Sequence, residues 1–373
     1  MAGVNAMEKK LAEYKCDTNE AICLKLVRFP EDLEDDGTTF HPEYSHQLYG
    51  DDEVAFGYKG LQIQLYYSAG NLSTLFKVKY SSKVTEKFDC VEADDVEVKI
   101  RDIIPAGFSC STDDFVSRLE KEANFRPFGN LLHTYKVHNE EAGELTYQIC
   151  KVDMACPGFQ EYHGRLQTFL MWFIETASFI DADDDRWDFF LVQMLVLPPF
   201  QGEGHGAQLL EAVHRFYCTL PKVQDITAED PSESYVKLRD FVLAKLCRAL
   251  PSFAPDKLQL GFSEVMVKEA QDTLKINKKH ARRVYEILRL KATDMADEAK
   301  ARDYRLDVKR RLFGPYKKNQ RELTKMMKCL RPEELVSHIR HIDTDVQHQE
   351  LEKSYQEVLD EYRRIIERLA SQA

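Results

Sequence analysis

Three glycines at alternate positions stand out in Gln201-Gly202-Glu203-Gly204-His205-Gly206. The stretch lies between an apolar run, Phe189 to Leu197, and an amphipathic run marked by Leu209, Leu210, Val213 and Phe216. Where a buried strand turns into a helix, backbone N–H groups of the turn and of the helix N-terminus converge on one spot of positive potential. Phosphate or pyrophosphate is the ligand such a spot takes. Glycine suits it for two reasons: a Cβ would hold the ligand's oxygens off the main chain, and turns of this kind often need φ > 0. The Gly-x-Gly-x-Gly spacing matches neither the dinucleotide fingerprint Gly-x-Gly-x-x-Gly nor the Walker loop, which also needs Lys followed by Ser or Thr. A plain structural bend is the other reading of the same residues.

Downstream, Asp225-Ile226-Thr227-Ala228-Glu229-Asp230-Pro231 reads as a short strand ended by two acids and a proline. A carboxylate at a strand end can face a cleft and serve as a general base. Acyl transfer to a lysine needs one, because with a pKa near 10.4 only about one amine in a few thousand is neutral at pH 7. Glu229 is the candidate base; the competing assignment makes Glu229 and Asp230 a turn and a helix N-cap. Glu175 is the other unusual acid, in the run Phe169 to Ile180, which reads as a helix with no other charge. There it either pairs or faces a cavity, with burial raising its pKa, or it sits at a helix end with its head in water. Asp51, Asp52 and Glu53 form one acidic loop, and Asp181 to Asp185 form another ahead of Arg186 and Trp187. Both suit a basic peptide, or are simply solvated. Trp187 either stacks on a substrate chain or belongs to a core. Cys156 and Cys247 could be proposed as acyl acceptors, but nothing near either activates a thiolate, and an inert buried thiol fits both.

These groups need elements to hold them. Leu61, Ile63 and Leu65 alternate with Gln62 and Gln64, then Phe76, Val78 and Tyr80 with Lys77 and Lys79, which predicts a hairpin turning at Ala69, Gly70 and Asn71. A second hairpin is predicted from Leu131 to Val137 and Leu145 to Val152 across Asn139 to Gly143. After Pro157 and Gly158 the period changes to three and four at Tyr162, Leu166, Phe169, Leu170, Phe173 and Ile174, an amphipathic helix. Phe189 to Leu197 reads as a buried strand. Beyond about residue 265 the chain reads as largely helical, with Val284, Ile287 and Leu288, then Leu351, Tyr355, Val358, Tyr362, Ile365 and Leu369 at helical spacing.

With 373 residues, 43% of them hydrophobic, the chain can form two or three domains of roughly 150 residues each, with a core that needs neither metal nor disulfide. Neither apolar run reaches the roughly 18 residues of a membrane span. The N-terminus has no apolar signal-peptide core, and nine cysteines contain no Cys-x-x-Cys pair. A soluble chain of a reducing compartment is expected, with no membrane and no metal. The net charge of −12 is uneven: residues 271 to 373 hold 24 Lys and Arg against 18 Asp and Glu, and the rest hold 27 against 45. An acidic body repels nucleic acid and draws cationic partners. The basic C-terminal part is either phosphate-facing or solvated helix.

The glycine turn resembles Gln/Arg-x-x-Gly-x-Gly/Ala, the pyrophosphate loop of GNAT-type N-acetyltransferases. Beyond the turn, the sequence is similar to the catalytic subunit of type B histone acetyltransferases over nearly its whole length. The matching stretches are Leu26 to Pro30 with Glu31 to Leu33, Gly50 through Glu53 to Gly57, Glu92 to Val96, Phe173 to Asp181, the loop at Gln201, Asp225 to Pro231, and Tyr235 to Phe241. The resemblance implies acetyl-CoA as donor and the N-terminal tail of newly made histone four as acceptor, free or with histone three. It implies a WD-repeat histone chaperone as partner, and nucleus and cytoplasm as locations. By position it puts the catalytic base on Glu229, with Glu175 and Asp230 as neighbouring acids. It puts acetyl-CoA contacts on the main chain of Met194, Leu195 and Val196, on Gln201, Gly202, Glu203, Gly204, His205, Gly206 and Ala207, and on Ser234. Substrate-tail contacts fall on Asp51, Asp52, Glu53 and Trp187. Direct attack of the amine on the thioester then needs no cysteine intermediate.

One departure from the family pattern is expected to matter. Val192 joins Gln193 directly where the family has a longer strand meander. The fold expected is therefore α+β: an N-terminal mixed α/β domain (1–125), a GNAT-type core with a truncated mixed sheet (126–260) and a C-terminal helical domain (261–373). Two functions fit these observations: a histone lysine acetyltransferase, and a noncatalytic histone or chaperone binder that keeps the acidic surface but does not align amine with thioester.

Overall fold

The computed structural model describes residues 2–88, 90–139, 143–175, 194–228, 230–329 and 344–371. They gather into two compact units, one within Met1–Asp188 and Leu195–His205, the other within Phe189–Met194 and Gly206–Ala373. Helices and several small sheets make this the expected α+β class.

The first unit runs through α1 (Ala2–Ala12), β1 (Lys15–Asp17), α2 (Thr18–Ala21), β2 (Ile22–Val27), α3 (His46–Tyr49), β3 (Val54–Phe56), β4 (Tyr58–Lys59), β5 (Gln62–Ser68), β6 (Thr74–Lys79) and β7 (Ser82–Lys83). Then come α4 (Val96–Arg101), α5 (Thr112–Lys121), β8 (Asn130–Asn139), β9 (Gly143–Lys151) and α6 (Phe159–Phe173). Its main sheet has the order β2-β5-β6, with β2 parallel to β5 and β5 antiparallel to β6. The β5–β6 pair is the first expected hairpin. Ile22, Leu24, Ile63, Leu65 and Tyr67 share one core with Phe169, Trp172 and Phe173 of α6. On the other face, Val27, Tyr66 and Leu75 meet Phe115 and Leu119 of α5. A sheet covered on both faces loses the simple in-out alternation, which is why β2 carries no period-2 signal. Lys25 of β2 is fully buried; its Nζ donates to the carbonyls of Asp35 (2.8 Å) and Leu33 (3.3 Å) and lies 4.9 Å from the Tyr66 ring.

The amphipathic helix expected after Gly158 is α6, but it stops at Phe173, where Ile174 turns extended with φ −129° and ψ 117°. The Trp172 carbonyl accepts the N–H groups of Glu43 and Tyr44 at 2.9 and 3.0 Å, so a neighbouring loop takes the bond that another helical turn would have used. Glu175 therefore lies just beyond the helix, in an exposed turn: the helix expected to run to Ile180 stops short of it, and of its two expected settings the one at a helix end, in water, is the one found. The second expected hairpin is β8–β9. Its strands are largely exposed, and a lone two-stranded ribbon is marginal in water. Aromatic packing at its base among Phe125, Phe128, Phe159 and Tyr162 holds it, with the Phe128 and Tyr162 rings 5.2 Å apart.

The described part of the expected strand, Met194–Leu197, is not in any sheet. A strand exists only where a partner satisfies its backbone, and none of the described strands pairs with this segment. Leu195 and Leu197 instead pack on the core shared by the main sheet and α6.

The second unit is helical: α7 (His205–Cys218, its first residue in the first unit), α8 (Glu233–Cys247), α9 (Pro255–Leu258), α10 (Glu264–Leu274), α11 (Lys278–Ala292), α12 (Glu298–Leu312), α13 (Gly314–Cys329) and α14 (Thr344–Ser371). Ser232, Ser263, Asn277 and Asp297 cap four of these helices with side-chain oxygens on backbone N–H groups. Phe241, Val284, Tyr285, Ile287, Tyr304, Tyr355, Tyr362 and Leu369 form the core. No helix among the described residues is long and apolar enough to cross a membrane.

Candidate functional site

An acidic corner forms at residues 43–53. Asp51 and Asp52 are exposed in a turn, and Glu53, in the left-handed region at φ 51°, points its carboxylate back into the protein. Its oxygens accept from the Ser45 N–H at 2.7 Å, the His46 N–H at 3.0 Å and the Asn19 side-chain amide at 2.6 Å. Burial acts to raise the Glu53 pKa, but the Ser45 and His46 N–H groups and the Asn19 amide outweigh it and hold the carboxyl below its ordinary value. Glu53 thus caps the start of α3, while Asp51 and Asp52 face solvent. The same α3 reaches Glu175: His46 Nε2 is 2.8 Å and the Gln47 amide 3.3 Å from the Glu175 carbonyl oxygen. Tyr44, hydrogen-bonded to Glu43 at 3.1 Å, has its phenol pKa raised by burial, by that bond and by the charges of Glu43, Glu175 and Glu53. Five carboxylates around one loop make a place that attracts lysine or arginine side chains. Tyr44 and His46, which tie the corner together, give no signal in a sequence pattern, being single polar-aromatic residues in a loop.

The glycine turn is built differently from the strand-to-helix unit expected. Pro198–Phe200 form a 3₁₀ turn, and the Gln201 side-chain amide donates to the Val196 carbonyl at 2.9 Å, closing the bend. Gly202 (φ 84°) and Gly204 (φ 91°) both adopt left-handed backbone conformations, and a Cβ built on either would have open space around it. The bend then enters α7 at His205. Left-handed glycines, an unobstructed main chain and a helix start are what a phosphate-bearing ligand requires. His205 is buried, with Nε2 3.0 Å from Glu203 Oε2 and Nδ1 2.7 Å from the Tyr135 hydroxyl. The rings of Tyr147 and His205 are 4.3 Å apart. Tyr135 and Tyr147 face each other across the β8–β9 hairpin, and the sequence did not single out either. Burial raises the phenol pKa of both, and the Glu203 charge adds to it.

In the second unit, Asp225 to Thr227 form no strand; the Ile226 N–H donates to the Lys275 carbonyl at 3.0 Å. Asp230 is exposed at φ 37°, a left-handed conformation that aspartate tolerates. The N-cap of α8 is Ser232, whose Oγ accepts from the Tyr235 N–H at 3.2 Å, and Ser234 is exposed in the first turn. Glu229, Trp187 and Asp181 to Asp185 lie outside the described residues. Cys247 is buried, and burial, with the Glu269 charge, raises its thiol pKa, as suits an inert thiol. Cys156 is half-buried. Among the described residues no group of three or more His, Cys, Asp or Glu could hold a metal ion.

A family model described as "Histone acetyl transferase HAT1 N-terminus" matches residues 14–175. Another, "Histone acetyltransferase type B catalytic subunit, C-terminal", matches residues 239–290. The histone acetyltransferase type B catalytic subunit of Mus musculus is 62% identical over 404 aligned residues, covering 99% of this chain and 97% of that one. The protein of the same description from Homo sapiens is 62% identical, covering 99% and 96%. The one from Kluyveromyces lactis is 27% identical, covering 98% and 95%.

Proposed function

Because this chain belongs to the family of histone acetyltransferase type B catalytic subunits, we propose that it transfers acetyl from acetyl-CoA to lysines in the N-terminal tail of newly made, non-nucleosomal histone four. The observation that carries this reading is the bend at Gly202 and Gly204, left-handed at both glycines and unobstructed, in a chain of this family. The GNAT-type assignment of the fold belongs to the same reading. Acetyl-CoA supplies an activated acyl group as a thioester and needs no metal. The main chain of Met194 to Val196 and of Gln201 to Ala207 would hold it, with N–H groups on the diphosphate and Ser234 adding a hydroxyl.

The tail lysine arrives as an ammonium, so a carboxylate must take its proton before nitrogen can attack the thioester carbonyl. Glu229 is the base of this proposal, and Glu175 and Asp230 are the further acids that the family resemblance assigns to the reaction. Asp51 and Asp52 attract the basic tail; Glu53 supports them by capping α3, and Trp187 is a further tail contact. A WD-repeat histone chaperone, the complex of histones three and four, and a place in nucleus and cytoplasm complete the proposal.

A second reading has its own support. The alignment with the Mus musculus relative runs over 404 residues, more than the 373 of this chain, so that relative carries residues with no counterpart here. We place the gap at the Val192–Gln193 junction, where the family pattern has a strand meander. Met194–Leu197 being outside every sheet agrees with missing strand partners. A chain short of those strands would bind histone or chaperone without turnover. A coenzyme A binding isotherm paired with acetyl transfer to a histone-tail peptide separates the two. Binding with turnover is the outcome expected of the enzyme, and Glu229→Gln should lower that turnover by about 10²-fold or more at pH 7. Turnover unchanged in Glu229→Gln at neutral and alkaline pH would remove Glu229 as the base, and binding without turnover would favour the binder.

A further inference from the structure

Glu203 is an awkward residue to find in a turn that binds a diphosphate. It sits between Gly202 and Gly204, and a carboxylate turned toward the ligand would repel it. In the structure that carboxylate is engaged, its Oε2 lying 3.0 Å from His205 Nε2. An ionised carboxylate can only accept, so Nε2 carries the ring proton; in the neutral ring Nδ1 is then bare and accepts the Tyr135 hydroxyl at 2.7 Å. The ring itself is fixed by Tyr147 at 4.3 Å and is buried, while the Glu203 side chain is one-third exposed. Freed from the histidine, the carboxylate would have room to swing.

We propose that His205 is a positioning residue that holds the Glu203 carboxylate away from the anion-binding turn, and that Tyr135 of the β8–β9 hairpin fixes the imidazole for that task. The proposal rests on the reading of the turn as the acetyl-CoA diphosphate site. It also gives the exposed hairpin a function: one hydroxyl and one ring reach across to set the electrostatics of the turn. Burial and the Glu203 charge keep Tyr135 protonated, as a donor to Nδ1 must be.

The test is a double-mutant cycle on the full chain, read as the dissociation constant for coenzyme A, with inorganic pyrophosphate as a second probe. His205→Phe keeps a ring against Tyr147 and drops both hydrogen bonds; affinity should fall on the order of tenfold as the freed carboxylate competes with the ligand's charge. Adding Glu203→Gln to His205→Phe should restore affinity to within about twofold of wild type, since the amide has no charge left to repel. A loss that Glu203→Gln does not rescue would show that the histidine only supports the turn's shape, and no loss at all would overturn the proposal outright. If His205→Phe does not fold, Tyr135→Phe replaces it, with an expected weakening of about threefold and the same rescue. A wild-type chain that binds neither probe overturns the acetyl-CoA reading together with this one, whereas binding that is indifferent to His205 overturns this one alone.

Discussion

Two glycines in left-handed conformations show how one residue type serves two ends. Gly57 has φ 104°, and a Cβ there would overlap Ala93; at Gly204, φ 91°, nothing lies within 4 Å. Gly57→Ala is therefore expected to destabilise the fold by about 2–4 kcal/mol through strain and overlap together. Gly204→Ala adds only the left-handed strain, about 1–2 kcal/mol, but puts a methyl where a diphosphate would approach. Urea midpoints and coenzyme A affinity for both variants distinguish the roles: a large midpoint shift for the first, a modest shift with clearly weaker binding for the second. Coenzyme A affinity unaltered in Gly204→Ala would mean that the turn does not hold the ligand. The glycine turn was legible in the sequence because its spacing is itself the signal. The contacts of Glu53 with Ser45, His46 and Asn19 were not, because they join residues up to 34 positions apart, and only the fold brings those together.

Between the helices, buried charges are paired across the apolar core. Glu286 of α11 is fully buried and accepts from Arg282 at 2.8 Å, Arg311 of α12 at 2.8 Å and the Tyr362 hydroxyl of α14 at 3.0 Å. Asp240 of α8, also fully buried, takes Arg239 at 2.8 Å and Arg283 at 2.6 Å, and Arg283 reaches Glu361 of α14 at 3.0 Å. Removing the acid from such a cluster strands arginines that have lost their partner, so Glu286→Ala should lower the stability read by urea denaturation by about 3–5 kcal/mol. Tyr362→Phe, which removes one neutral donor, should change it by about 1 kcal/mol. A Glu286→Ala loss below that of Tyr362→Phe would show the cluster to be dispensable. The helices themselves were legible: Val284, Ile287 and Leu288, and the later series from Tyr355 to Leu369, repeat at three and four and are buried in the core, with Val358 of that series packed partly buried against it. So were both hairpins, whose strands alternate. The run before Pro198 misled because an apolar stretch announces burial, not pairing. Leu195 and Leu197 are packed against the core with no strand beside them. The end of α6 misled in a similar way, since apolar neighbours continue past Phe173 while loop N–H groups end the helix.

Across the whole chain, two effects make opposite predictions for mild acid. With a net charge of −12 and an isoelectric point near 5.5, lowering the pH from 7 relieves self-repulsion and should stabilise the folded state slightly. Against this stand two buried histidines of the helical unit. His214 and His280 are 3% and 7% exposed. Burial pushes both down to about 4, assisted at His214 by Arg215 against Glu211, and at His280 by Arg239, Lys279 and Arg283 against Asp240. Their unfolded value is near 6.5. Each ring therefore contributes stability that is fully present above pH 6.5 and is lost as the pH falls toward 4, because below 6.5 only the unfolded chain takes up the proton. Between pH 6.5 and 5.5 that loss is about 1 kcal/mol per ring, more than diffuse surface charge returns over the same step. Below that window a second loss begins. At Glu211 burial is outweighed by Lys245 and Arg215, and at Asp307 by Arg282, Tyr285 and Arg289, so both carboxyls sit below their ordinary values, and their stabilisation is lost as the pH falls from the ordinary carboxyl value through the lowered one. Urea denaturation at pH 7.5, 6.5 and 5.5 should show stability falling through the last step, and His280→Asn should remove about half of that fall. Stability that instead climbs toward the isoelectric point would mean that these rings are hydrated in solution and that the helical core is looser around α7 and α11 than its packing indicates.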